Sequence, residues 1–292
     1  AASRAAKARF PQLPVVWGGW HPSLFPTDTL AEPSVDVTVQ GQGEATFAEL
    51  VERLAQGQSL EGLAGAAVRV GGEPAQGPPR LMMAMNSTAP HNYDLIPVER
   101  YFALKRQRQF DYIASAGCHF RCAFCADPFV YKRKWAGLGP ERMGEELEAH
   151  WRRYRFDEVS FQDETFFTYR DRVVQIAEQF LRRGLRFGWT ATMRADQGFR
   201  LSDEDMATCV RSGLKRVMVG VESGSQEMMD WLAKDITVEQ VIASAEKCAR
   251  HSVGVIFPFI VGFPGESDAS IAATMAMVKR LRAMSPRFET PI

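Results

Sequence analysis

The chain has 292 residues, 46% of them hydrophobic, and carries 35 basic against 35 acidic side chains. That length can bury a large core and points to more than one domain, while the even charge balance offers no global field to hold nucleic acid or an acidic membrane. The most apolar run, 253–263, is 11 residues long with Pro258 inside it, too short to span a bilayer, so a soluble, reducing, cytoplasmic setting is expected.

Residues 2–10 read as the tail of a helix and 287–292 as an interrupted strand or loop, so a fragment cut at both ends is expected. Residues 1–70 alternate short apolar strands (13–17, 35–39) with a helix over 44–56. Segments 66–70 and 80–84 flank Gly71-Gly72 and read as a hairpin with a loose turn. The stretch 71–109 is hairpin and connector, with Pro90 and Pro97 in its second half.

From 110 to 292, strands at 110–115, 158–162, 186–192, 216–221 and 254–261 alternate with helices. Met143, Leu147, Trp151 and Tyr154 recur at helical spacing, as do Val173, Val174, Ala177 and Leu181 before Gly184. Ser202 opens a third helix, Thr237 with Gln240 forms a capping box for a fourth, and Ser267 or Asp268 caps the last. Apolar strands alternating with helices predict an α/β fold in which helices cover a parallel sheet.

Cys118, Cys122 and Cys125 follow the first of these strands with Cys-x3-Cys-x2-Cys spacing. Three thiols so close in sequence can converge on one metal centre from a single loop. Three is one short of a closed zinc site and of a simple 4Fe–4S cluster. Either His119, Cys209 or Cys248 completes a zinc site, or the centre keeps one metal position open for substrate or cofactor. Five cysteines, an odd number, argue against a disulfide framework, and Cys209 and Cys248 read as small buried hydrophobes.

In parallel barrels the chemistry sits at the C-terminal ends of the strands, and polar or unusual residues cluster there in this sequence. The strands end in turn at the cysteine triplet, Gln162-Asp163-Glu164-Thr165, Thr192-Met193-Arg194-Ala195-Asp196, Gly220-Val221-Glu222-Ser223-Gly224, and Val261-Gly262-Phe263-Pro264-Gly265-Glu266. Each has a plainer reading too. Asp163 and Glu164 also suit a solvated acidic turn, Arg194 an ion pair with Asp196 or Glu222, and the glycines simple turns. Tyr131-Lys132-Arg133-Lys134-Trp135 is a basic loop beside the triplet, too short for a nucleic-acid patch on a neutral chain; contact with an anionic substrate is its other use.

At these residues the chain resembles the radical S-adenosylmethionine (radical SAM) enzymes, in the branch that carries a cobalamin-binding domain: methyltransferases and anaerobic magnesium-protoporphyrin ester cyclases. The resemblance implies a partial (β/α)6 TIM-like barrel over 110–292, its last strand truncated. It also implies that 1–70 are the C-terminal part of a Rossmann-like cobalamin-binding domain, joined through 71–109. Cys118, Cys122 and Cys125 would then be the catalytic ligands of a 4Fe–4S cluster whose open iron takes the amine and carboxylate of S-adenosylmethionine. Reductive cleavage of that cofactor to a 5′-deoxyadenosyl radical would follow. Phe124 is the aromatic that the family places before the last cysteine.

On the same resemblance Asp163 and Glu164 serve the methionine ammonium, and Arg194 the carboxylate, which guanidinium binds bidentately. Glu222 and Ser223 meet the ribose, and Gly262 and Pro264 belong to the adenine-binding turn. Gly18, Gly19, Gly41, Gly43 and Glu44 are the cobalamin contacts, since small residues at strand ends admit a nucleotide tail. The family's Asp-x-His-x-x-Gly motif is absent, and His21 is not in that context. The implied partners are a small-molecule substrate and an electron donor such as flavodoxin or ferredoxin. A radical SAM enzyme that does not use cobalamin is the first alternative. A non-catalytic zinc-binding or electron-transfer module is the second.

Overall fold

A computed structural model describes residues 1–292, and the chain forms two compact units. The first comprises Ala1–Thr88, Gly117–Phe120 and Cys125–Ala136; the second comprises Ala89–Ala116, Arg121–Phe124 and Gly137–Ile292.

In the first unit, strands β1 (Val16–Trp17), β2 (Val37–Val39), β3 (Ala66–Val70) and β4 (Glu73–Gln76) lie side by side in that order. β1 runs parallel to β2, whereas β3 is antiparallel to both its neighbours. Val37, Val39 and Val68 alternate toward Leu50 of the helix Glu44–Ala55, closing a small core with Leu63 and Ala66. The hairpin after β3 returns at 73–76, not 80–84. Gly71 and Gly72 both take positive φ (61° and 94°), which lets a two-residue turn reverse the chain at once. Residues 80–84 carry no regular structure. β4 contains Pro74, which an edge strand tolerates because its N–H side needs no partner.

The second unit is built on β5 (Gln109–Tyr112). Strands β6 (Ser115–Gly117) and β7 (Trp135–Gly137) bracket the cysteine segment in sequence, and β8 (Glu158–Phe161), β9 (Gly188–Met193), β10 (Leu214–Val219), β11 (Gly254–Ile256) and β12 (Phe288–Glu289) follow. β5, β8, β9, β10, β11 and β12 form one all-parallel sheet whose spatial order is the order of the chain. Helices Pro140–Tyr154, Arg170–Arg182, Asp203–Arg211, Val238–Arg250 and Asp268–Met284 supply the crossovers. This is the expected open α/β barrel of six strands. Ser202, Thr237 and Ser267 each cap a helix through a side-chain oxygen, satisfying N–H groups that have no partner inside the helix.

Two strands are shorter than their apolar runs predict. β5 stops at Tyr112 because the next backbone groups are claimed elsewhere: Ala114 N–H donates to Asp163 and Ala114 C=O accepts from Arg172. β11 stops at Ile256 because Pro258 has no N–H for the ladder, and Pro258 C=O accepts instead from Val221 and Glu222. Trp189 is fully buried. Its ring lies 5.8–6.5 Å from those of Phe161, Phe166, Phe167 and Phe180, and its Nε1 donates to Ser212 Oγ at 3.1 Å. Trp189→Ala should lower the unfolding free energy by about 3–5 kcal/mol in urea titration; a loss under ~1 kcal/mol would contradict this role for the ring.

Candidate active site at the strand ends

Because the six strands are parallel, their C-terminal ends lie along one edge of the sheet, and most of the predicted residues stand there. Asp163, after β8, is buried. Its Oδ2 accepts from Ala114 N at 3.1 Å and its Oδ1 from Ser115 Oγ. Its own carbonyl accepts from Thr192 Oγ1 at 2.8 Å. Burial pushes this carboxyl up to about 6, against the opposing pull of Ser115 and the nearby Arg172. Asp163 therefore fixes the segment that leaves β5 for the cysteines. Glu164 beside it is half-buried.

Arg194, after β9, is also buried. It pairs with Asp196 at 3.0 Å and donates to the carbonyls of Lys234 at 2.5 Å and Asp235 at 3.3 Å. Its Nη1 stands 3.7 Å from Cys122 Sγ. The ion pair with Asp196 thus exists, and the guanidinium also reaches the cysteine loop. That loop is pinned twice more: Arg121 forms a bidentate pair with Asp235, both contacts at 2.8 Å, and Ala123 N–H donates to Leu232 C=O at 2.8 Å.

Glu222, after β10, takes positive φ (67°), rare for a residue with a Cβ. Its Oε1 accepts from Lys234 Nζ at 2.6 Å, and both side chains are buried. Gly220 makes room for the pair, since a Cβ there would lie 2.5 Å from Glu222 Oε1 and 3.0 Å from Lys234 Nζ. Lys234 also stands 5.6 Å from the centroid of the Phe124 ring, within cation–π range. That ring lies 5.9 Å from the ring of Phe263, between Gly262 and Pro264. Sequence reasoning missed Lys234. It is a lone lysine with no periodic signal, flanked by Ala233 and Asp235 at positive φ.

Ser223 is fully buried, and its hydroxyl is engaged 3.1 Å from Thr274 Oγ1. Gly224 is required by the same packing, since a Cβ would come within 2.5 Å of Ala273 O. In the 261–266 turn, Gly262 has φ 99° and its N–H donates to Glu266 Oε2 at 2.6 Å.

In the first unit, Gly18 and Gly19 follow β1, and Gly41 and Gly43 follow β2. Gly19 (φ 96°) and Gly41 (φ 64°) use conformations that favour glycine, and Gly41 N–H donates to Ser23 Oγ at 2.9 Å. Glu44 is exposed in the first turn of its helix. Cys125 Sγ lies 3.7 Å from Asp127 Oδ2, whose carboxyl is raised by burial, opposed by that thiol contact.

Cys118, Cys122 and Cys125 are all half-buried and form no disulfide. No group of three or more His, Cys, Asp or Glu side chains stands arranged as a finished metal cage; the donor chemistry and the short loop are what fit a cluster. Cys209 and Cys248 are buried, and burial pushes both thiols up to about 12.

The Radical SAM superfamily model matches residues 112–278. An uncharacterized methyltransferase of Pyrococcus horikoshii is 32% identical over 271 residues, covering 91% of this chain and 58% of that protein. The anaerobic magnesium-protoporphyrin IX monomethyl ester cyclase of Rubrivivax gelatinosus is 25% identical, covering 94% and 50%. Two solved structures share the fold. The radical S-adenosylmethionine methyltransferase TsrM of Kitasatospora setae has a TM-score of 0.83 at 15% identity, over 100% of this chain and 58% of that one. The cobalamin-dependent S-adenosylmethionine radical enzyme OxsB has 0.81 at 20% identity, over 99% and 42%. The chain therefore spans about half the length of these relatives. No helix is long and apolar enough to cross a membrane.

Two outcomes follow from the buried charges. Lys234→Ala strands an unpaired carboxylate and should cost about 3–5 kcal/mol of stability, with Glu222→Gln added to Lys234→Ala restoring part of it; strictly additive losses in urea unfolding would sink the pairing. For Asp163, the folded carboxyl titrates at about 6 rather than 3.8, so the fold binds the extra proton between those values. Stability relative to Asp163→Asn should therefore fall by about 3 kcal/mol as pH rises from about 4 to about 6 and stay flat above. Thermal melts across that range test it, and a pH-independent difference would refute it.

Proposed function

The chain belongs to the Radical SAM superfamily, and on that premise we propose that Cys118, Cys122 and Cys125 hold a 4Fe–4S cluster whose fourth iron is left for S-adenosylmethionine. When bound, the cluster supplies the electron that cleaves the sulfonium and releases a 5′-deoxyadenosyl radical. The residues of this chain bind and orient. Arg194 offers a fixed guanidinium to the methionine carboxylate, and Glu164 an acceptor to its ammonium. Glu222 accepts from the ribose hydroxyls while Lys234 holds its other side. Asp163 and Ser223 act one step back, fixing the strand ends on which those groups stand. Phe124, Gly262 and Pro264 shape an apolar slot for the adenine and exclude water.

The observation that carries this reading is the Arg194 guanidinium 3.7 Å from Cys122 Sγ, which ties the end of β9 to the cysteine loop. A carboxylate bound there would meet the guanidinium beside one of the cysteines that would hold the cluster. Methyltransferase and cyclase relatives support methyl transfer or oxidative cyclisation on a small-molecule substrate, with cobalamin as second cofactor at Gly18, Gly19, Gly41, Gly43 and Glu44. A one-electron donor such as flavodoxin or ferredoxin completes the system.

Anaerobic reconstitution with iron and sulfide should give about four irons per chain, lost in Cys122→Ala. Addition of S-adenosylmethionine should perturb the electron-paramagnetic spectrum of the reduced protein. Glu222→Gln should weaken cofactor binding by roughly tenfold, the worth of one charge-assisted hydrogen bond. Stoichiometric zinc without iron, or a cluster spectrum indifferent to the cofactor in the full-length protein, would overturn the assignment.

A further inference from the structure

Lys132, Arg133 and Lys134 stand exposed in a row, and none of them lies within ion-pair distance of a carboxylate. Exposed Lys279, Arg280 and Arg282 on the helix Asp268–Met284 resemble them in this; what distinguishes the run is its place beside the cysteine segment. In the helix Pro140–Tyr154, for comparison, Arg142, Arg152 and Arg153 are each paired with an acid. Phe129, three residues upstream of Lys132, is 58% exposed.

The run is fastened to the first cysteine. Arg133 Nε donates to His119 C=O at 3.3 Å, one residue after Cys118. Gly117, one residue before it, touches the run's backbone: an added Cβ would lie 2.4 Å from Lys134 O. Lys132 and Arg133 are both left-handed (φ 52° and 55°), a conformation that residues with a Cβ rarely adopt. Two hydrogen bonds of 2.9 Å, Tyr131 N–H to Asp127 C=O and Lys134 N–H to Tyr131 C=O, hold that conformation.

We propose that Lys132, Arg133 and Lys134, with Phe129 as an apolar anchor, form the docking surface for an acidic one-electron carrier protein that reduces the cluster. The inference rests on the proposed function, because it needs the cluster as acceptor. One electron leaves the carrier's reduced centre and enters the cluster; no bond is made or broken. A small anion would call for convergent, desolvated donors. Three consecutive exposed cations stay solvated, and such a surface steers a large opposite-signed partner and raises its on-rate instead. An exposed aromatic amid positive charge is the composition of an interface anchor.

The test uses full-length holoenzyme, a purified acidic flavodoxin as probe, and the variant Lys132→Glu/Arg133→Glu/Lys134→Glu, with the triple glutamine variant as a folding control. Flavodoxin binding should weaken at least about tenfold in the charge-reversed protein, and its salt dependence between about 0.05 and 0.5 M should flatten. Cluster reduction by flavodoxin should slow in parallel, while reduction by dithionite stays as in wild type. Unchanged flavodoxin binding overturns the proposal. So does equal loss of reduction by both reductants, which would make the run part of the cluster loop's own architecture. A wild-type protein that assembles no iron cluster fails the proposed function instead, and flavodoxin binding to it still reads the surface.

Discussion

The cysteine loop depends on a buried carboxylate, Asp163, and a half-buried guanidinium, Arg172, placed where β5 ends. Asp163 accepts from Ala114 N–H and Ser115 Oγ, and Arg172 donates to the carbonyls of Ala114 and Leu138. Burial lowers Arg172 to about 10, partly offset by Asp163, so it stays charged at neutral pH. Together they satisfy backbone groups that a continued strand would have paired with its neighbour. Removing either leaves a buried polar group without its partner, which costs more than the bond contributes. The chain can leave the sheet at this point because two side chains take over the work of a ladder.

The same logic recurs around the edge of the sheet. Arg194, Lys234 and Glu222 are buried charges whose partners come from different strand ends or from the segment 232–235. Glycines make the space: Gly220 for the ion pair, Gly224 for the close approach of the helix Asp268–Met284. A site assembled in this way is held in place before any ligand arrives, and preorganised charges of this kind are what stabilise developing charge in a reaction.

Much of this was legible in the sequence. The alternation of apolar strands with capped helices is a local, periodic signal, and it located all the barrel strands to within a few residues. The motifs at strand ends were legible because glycines, a proline and acidic residues interrupt apolar runs. Strand termination was not. Nothing local marks that Ala114 will bond to residues 49 and 58 positions away. Ser223 looks like a ligand-facing hydroxyl in sequence, yet it is turned toward Thr274 because Gly224 brings a helix against it. Lys234 was invisible because its meaning lies in a carboxylate twelve residues back and in Phe124 far earlier in the chain. The hairpin register slipped because two consecutive glycines permit a tighter turn than their spacing alone declares.

The sheet's spatial order is also the order in which its strands are synthesised. Each new strand pairs beside the one just made, but every parallel pairing must close a crossover: Gln109 meets Glu158, 49 positions further on, and closing such loops makes parallel sheets slow to fold. The cysteine segment matures on a different schedule. Its Arg121 and Ala123 partners, Asp235 and Leu232, emerge more than 100 residues later. During synthesis the thiols therefore precede their anchors, and the loop that carries them can be fastened only once the segment 232–235 has been made.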